Sequence, residues 1–200
     1  MTAESTEGFS AKPTLVGELV TLRPIRAEDA DAIDRIIRED PEVARLTGSV
    51  PTSAEAADPP TMPIERMREI YGEWAVADDR LVLAVVDNAS GDVVGEVVLA
   101  GWDEGNRACW FRTLVGAAGR GRGLGTEATG LIVDHGFRAL GLHRISLEVY
   151  AFNPRARHVY EKVGFVHEGT ARDALLFDGE WVDMHYMAVL ESDRVRTDGS

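Results

Sequence analysis

Glycine stands at every second position from Gly119 to Gly125 in the run Gly119-Arg120-Gly121-Arg122-Gly123-Leu124-Gly125-Thr126. A strand-like segment over residues 107–116 precedes this run, and a stretch of helical spacing follows it. Glycines strip side chains from the backbone just where the helix is expected to begin. Several N–H groups can then converge on one anion, with the positive end of the helix dipole behind them. That chemistry binds phosphate. A dinucleotide fingerprint starting at Gly121 would need glycine or alanine at 126, where Thr126 stands, and no Gly-Lys-Ser/Thr tripeptide follows. The pattern that fits is Arg-x-x-Gly-x-Gly, spelled by Arg120, Gly123 and Gly125. A plain glycine-rich turn with two solvated arginines would produce the same letters.

Strands and helices must hold this loop. Residues 15–24 read as a strand closed by Pro24. Residues 28–38 read as a helix with Ala30, Ile33, Ile36 and Ile37 on one face. A short helical piece over 42–46 follows Pro41. Residues 47–62 are rich in Pro, Ser, Thr and Ala and read as a long structureless connection, either a cover for an acceptor site or disordered chain. A helix from Pro63 to about residue 77 leads to a hairpin of 81–87 and 93–100. After the central strand and the glycine loop come a helix over 126–140, ended by Gly141, and a strand over 144–150. That strand puts Ile145, Leu147 and Val149 on one face and Ser146, Glu148 and Tyr150 on the other. Asn153-Pro154 opens a helix to about 163, and Asp178-Gly179 joins two last strands over 166–177 and 181–190. The order predicts one mixed α/β (α+β) domain over residues 14–191, with loose tails over 1–13 and 192–200.

The 200 residues are 44% hydrophobic, enough for one full core, and carry a net charge of -13. So acidic a chain argues against nucleic acid or anionic membrane as partner and in favour of a cationic one. Against that background Arg107, Arg112, Arg120 and Arg122 are expected to form a positive island around the loop. Cys109 is the sole cysteine, so neither a disulfide framework nor a cysteine-rich metal site can form. The polar, acidic start lacks the layout of a signal peptide, and no apolar run approaches 18 residues, which predicts a cytoplasmic protein. The histidines form no His-Glu-x-x-His pattern, and Asp183 with His185 is too small a set for a metal. No metal is expected.

A second motif follows at a fixed distance: Leu147-Glu148-Val149, Asn153, Ala156, Tyr160 and Gly164-Phe165. With the loop, it resembles the GNAT superfamily of acyl-CoA-dependent N-acyltransferases over roughly residues 15–190. The ending, from Arg172 to Asp183, is similar to the branch that holds the ribosomal-protein alanine and serine N-acetyltransferases. The resemblance implies a splayed, mostly antiparallel mixed sheet flanked by helices, with acetyl-CoA or another acyl-CoA as co-substrate between the strands over 107–116 and 144–150. It further implies that backbone near Leu114 and Val115 pairs with the pantetheine arm, one N–H polarising the thioester carbonyl. Arg120, Gly121, Arg122, Gly123, Leu124, Gly125 and Thr126 would hold the pyrophosphate. Asn153 would position the arm, and Arg155 or Arg157 would meet the nucleotide. Ala117-Ala118 stands where a proline often precedes the loop, so its approach is less constrained than in many relatives.

Acyl transfer to an amine needs a neutral amine, a stabilised oxyanion and a proton for the leaving thiolate. By the resemblance Glu148 is the general base, with Glu96 in reserve, and Tyr160 gives its proton to the sulfur; packing is the other use for Tyr160. A lysine amine costs roughly 4 to 5 kcal/mol to deprotonate at pH 7, an α-amine only about 1 to 1.4. This favours a peptide N-terminus over a small cationic amine such as a polyamine or aminoglycoside, both of which stay open. So do a succinyl donor, a non-catalytic acyl-CoA sensor, and a monomer or a homodimer.

Overall fold

A computed structural model describes residues 8–60 and 62–195. One eight-stranded sheet runs through it: β1 (Leu15–Val16), β2 (Val20–Pro24), β3 (Arg80–Asp87), β4 (Val93–Asp103), β5 (Ala108–Val115), β6 (Arg144–Tyr150), β7 (Val166–Phe177) and β8 (Glu180–Leu190). The spatial order is β1-β2-β3-β4-β5-β6-β8-β7. Every neighbouring pair is antiparallel except β5 with β6. That one parallel pair follows from the connection between them, because α5 (Leu124–Arg138) carries the chain back to the start of the sheet.

The two faces are buried by different helices. On one, α5 and α6 (Pro154–Val163) cover Leu83, Val97, Leu99, Phe111, Ile145 and Leu147, the larger part of the core. On the other, α1 (Ala30–Glu39) and α4 (Ile64–Val76) cover Val82, Ala84, Val98 and Ala100. The alternation expected of β6 is present, with Ile145, Leu147 and Val149 buried and Ser146, Glu148 and Tyr150 facing away from α5 and α6.

Three expectations change. The expected N-terminal tail is packed from Gly8 on. Phe9 is buried in the larger core edge-on to Trp102, and Lys12 Nζ donates to the carbonyls of Phe9, Ala77 and Arg80. An aromatic ring and a cation with three carbonyl partners outweigh the lack of periodicity in the sequence. The connection over 47–62 is not structureless either. After α2 (Pro41–Leu46) it forms α3 (Ser53–Ala57), capped by Thr52 and docked through Ser53 on the carboxylate of Asp178. Val50 and Ala56 are buried with Ala44 beneath it. At the other end α7 (Glu191–Val195) begins where β8 stops, and the rest of the expected C-terminal tail lies outside the described residues.

Glu127, in the first turn of α5, holds the helix start against the sheet. Its carboxylate accepts the backbone N–H groups of Glu18, Leu19 and Val20 at 2.7–2.9 Å, and only glycine fits opposite it, since a Cβ on Gly17 would lie 2.6 Å from the carboxylate carbon. Bonds to a charged acceptor are the stronger kind, and three donors would lose their partner together. Glu127→Ala is expected to lower stability by about 2 kcal/mol or more, measured by urea unfolding. A loss under about 0.5 kcal/mol would show that water serves the turn as well.

Candidate active site

The parallel pairing of β5 with β6 spans only Ala108↔Arg144, Cys109↔Ile145 and Trp110↔Ser146. From Phe111 and Leu147 onward the strands part, and a cleft of about 1090 Å³ opens between them. Phe111 turns its ring into the α6 side. There it meets Tyr160 edge-on at 6.0 Å and Phe165 at 6.1 Å, so an aromatic cluster lies beside the gap on that face.

Backbone polarity along β5 follows from one bond. Gly116 N–H donates to the Val94 carbonyl on β4 at 2.9 Å. Successive residues of a strand turn their backbone groups to opposite sides, so Leu114 points its groups at β4 while Val115 and Thr113 point theirs into the gap. Gly95 admits this geometry, because a Cβ there would lie 2.0 Å from the Leu114 carbonyl oxygen. Of the two residues expected to offer backbone to a ligand, Val115 therefore turns its backbone groups into the cleft and Leu114 lines the cleft with its side chain. The Val115 carbonyl already accepts from Arg120 Nε at 3.1 Å, which leaves its N–H facing the cleft.

At the end of the cleft, Gly121 and Gly123 adopt φ of 72° and 86°, a left-handed backbone open to few other residues. Gly123 is the N-cap of α5, and the first helix donor to bond back is Glu127 N–H, to the Gly123 carbonyl at 3.0 Å. The N–H groups before it are those a helix leaves for a ligand. Gly121, Gly123, Gly125 and Thr126 line the cleft, whereas Leu124 is buried in the core and Arg122 does not reach the wall.

The arginines depart from the expected positive island. Arg120 is ion-paired with Asp40 and Glu42, which lie at the start of α2. Arg122 holds Asp87 at 2.6 Å, and Arg112 holds Glu96 at 2.8 Å. Arg107 stands at the far end of β5, beside Glu191 at 3.7 Å, with the strand's 8 residues, roughly 25 Å, between it and the loop. In an acidic chain the nearest partner for each guanidinium is a carboxylate of the chain itself. Arg157 is likewise drawn to Glu161 at 2.9 Å and is not on the cleft wall; the wall takes Arg155, which holds Glu42. Asn153 lines the cleft and caps α6, its side-chain oxygen accepting from Ala156 N–H at 3.1 Å.

Glu148 and Tyr160 both line the cleft, from opposite faces of the sheet. Tyr160 belongs to the core on the α5 and α6 side, and burial pushes its hydroxyl pKa up to about 12. Glu148 is exposed on the other face and makes no ion pair or hydrogen bond among the described residues. Glu96, the reserve base, is buried on β4 with both oxygens taken, one by Arg112 and one by the Tyr71 hydroxyl at 2.7 Å. It does not line the cleft. The sequence reading missed Trp110 and Tyr186, which line the same wall as Glu148. Trp110 stands two residues before Arg112 in alternation; Tyr186 becomes its neighbour only through the antiparallel register Glu148↔Tyr186.

Residues 20–166 match the Acetyltransferase (GNAT) domain family. The chain belongs to this family. Among its GNAT relatives is the spermidine N(1)-acetyltransferase of Vibrio cholerae, 29% identical over 128 residues, which cover 64% of this chain and 73% of the relative. Another is the [ribosomal protein uS5]-alanine N-acetyltransferase of Escherichia coli, 34% identical over 83 residues, or 42% of each chain. The solved structure of Mycobacterium smegmatis RimJ in complex with CoA-disulfide superposes with a TM-score of 0.75 at 26% identity, covering 92% of this chain and 90% of that one. The GNAT chain is thus an N-acetyltransferase that moves an acyl group from coenzyme A to an amine. In the described residues no helix is long and apolar enough to cross a membrane.

Two substitutions separate a ligand role of the loop from a structural one. A Cβ on Gly125 meets only Val115 Cγ2, at 3.8 Å, an ordinary contact, so Gly125→Ala adds a methyl group at the cleft wall without straining the fold. It is expected to weaken coenzyme A binding more than about tenfold, by calorimetry, with little change in melting temperature. Arg120→Ala instead leaves Asp40 buried without its ion-pair partner and should cost on the order of 2 kcal/mol of stability. Unchanged melting of Arg120→Ala would mean that the ion pair contributes nothing to the fold.

Proposed function

We propose that this N-acetyltransferase binds acetyl-CoA with its pyrophosphate on the backbone amides of Gly121 to Thr126, and that it acetylates the α-amino group of a peptide or protein N-terminus. The observation that carries the reading is the placement of Glu148 and Tyr160 on opposite faces of one gap in the sheet. The amides at the start of α5 lie on the face of Tyr160, so a thioester running from them into the gap brings its sulfur to the hydroxyl and its carbonyl past Val115 N–H. The acceptor then arrives from the other face, beside Glu148.

Each group has one task. Val115 N–H, fixed by the strand, meets the negative charge that develops on the thioester oxygen. Glu148 attracts the ammonium and takes its proton, directly or through one water, and an α-amine asks for only about 1 to 1.4 kcal/mol of that work at pH 7. Tyr160 donates to the leaving sulfur. Since burial holds its pKa near 12, the hydroxyl keeps its proton throughout the range in which amines become neutral. A polyamine acceptor is the second reading, supported by the Vibrio cholerae relative and the charge of -13.

Glu148→Gln is expected to lower kcat about a hundredfold, most severely at low pH where neutral amine is scarce, and Tyr160→Phe about tenfold with coenzyme A affinity unchanged. In wild type, kcat/KM should rise with pH as the amine loses its proton and show no fall attributable to Tyr160 below pH about 10. These come from thiol-release assays at saturating acetyl-CoA between pH 6 and 10. Full turnover of Glu148→Gln at every pH would remove it as the base, and a descending limb near pH 8 that disappears in Tyr160→Phe would contradict the raised pKa.

A further inference from the structure

The one parallel strand pair brings a cation and the proposed base to the same cleft. Trp110 is level with Ser146, and both lie on the face turned away from α5 and α6. Two residues further on each strand, where pairing has ended, come Arg112 and Glu148, again on that face. Arg112 is fixed from below. Its Nη2 donates to buried Glu96 at 2.8 Å, whose other oxygen is held by Tyr71, and its guanidinium lies 5.9 Å from the centre of the Trp74 ring. One nitrogen of the fork is used. The side chain is still half exposed and lines the cleft, and its guanidinium has N–H groups beyond the one given to Glu96.

We infer that Arg112 determines acceptor specificity by hydrogen-bonding the oxygen next to the reacting amine, so that the enzyme selects α-amino acyl acceptors, whose amine is one carbon from a carbonyl, over polyamines. The inference rests on the reading of this cleft as the acyl-transfer site. Glu148 and Arg112 together match the polarity of such an acceptor, with ammonium on one side and carbonyl oxygen on the other. The same wall suits a polyamine poorly. Each further ammonium needs a carboxylate of its own, yet Glu168, another carboxylate on the wall, is held by Arg144 at 2.5 and 2.6 Å. An extended polycation would meet Glu148 and then the guanidinium of Arg112.

The test compares wild type, Arg112→Gln and Arg112→Lys with acetyl-CoA and two acceptors, an alanyl tetrapeptide amide and spermidine, by thiol release. Wild type is expected to show a kcat/KM at least about tenfold higher for the peptide. Arg112→Gln should raise the peptide KM about tenfold, change its kcat far less, and raise kcat/KM for spermidine because a repelling charge is gone. Arg112→Lys keeps the charge over Glu96 but loses the fork; it should lie between the two, and it decides the matter should Arg112→Gln fail to fold. A wild-type preference for spermidine, or an equal loss with both acceptors in a folded variant, overturns the inference and leaves the acyl-transfer site standing. Absence of thiol release with every amine would overturn the reading of the cleft and the inference with it.

Discussion

The structure depends on the place where β5 and β6 stop pairing. A sheet interior normally spends every backbone N–H and C=O on a neighbour, and an unpaired group buried there costs about as much as a lost hydrogen bond. Beyond Trp110 and Ser146 the two strands leave such groups facing a gap. The gap persists because Phe111, Tyr160 and Phe165 pack into one another on the α5 and α6 side. Closing it would displace three rings from a core that also takes Leu147 and Val149. Backbone left unpaired by packing is thereby available to a ligand.

The gap also divides the chemistry between two environments. On the α5 and α6 side the surroundings are apolar, which suits a hydroxyl that must remain protonated and a helix start whose amides carry partial positive charge. On the opposite side the wall is polar and open, lined by Glu148, Arg112, Trp110 and Tyr186. The proposed reaction would use both, with the donor in a dry slot and the acceptor arriving from water. Electrostatics are settled locally rather than by the overall charge of -13. Asp40, Glu42, Asp87 and Glu96 each hold an arginine close to the site, so the proposed phosphate site rests mainly on the backbone of the glycine loop.

Distant segments keep the two sides in place. Glu127 ties the start of α5 to the turn before β2, and Gly17 leaves it the room to do so. On the acceptor side, α3 docks on the turn between β7 and β8 through Ser53 and Asp178, and α2 lends Val43, Leu46 and Thr47 to the cleft. A ring of Tyr150 lies so close to Gly48 that a Cβ there would be 2.5 Å away. Of residues 47–62, which looked like loose chain, Thr47 lines the cleft.

The sequence by itself determined what depends on local rules. Alternation along Ile145 to Tyr150 places Glu148 away from the core, Asn153-Pro154 starts α6, Gly164 ends it in a left-handed conformation, and the glycines from 119 to 125 mark a helix start able to hold an anion. Each follows from backbone sterics and side-chain periodicity within a few residues. What the tertiary structure decided is which charges meet. Arg120 finds Asp40, Arg122 finds Asp87 and Arg112 finds Glu96, pairs separated by many positions in the chain. Nothing local in the sequence ranks those partners, because the strength of an ion pair depends on distance and burial that only the fold supplies. The same holds for Phe9, whose burial needed Trp102 beside it, and for Arg112 and Glu148, which line one cleft only because β5 and β6 lie side by side.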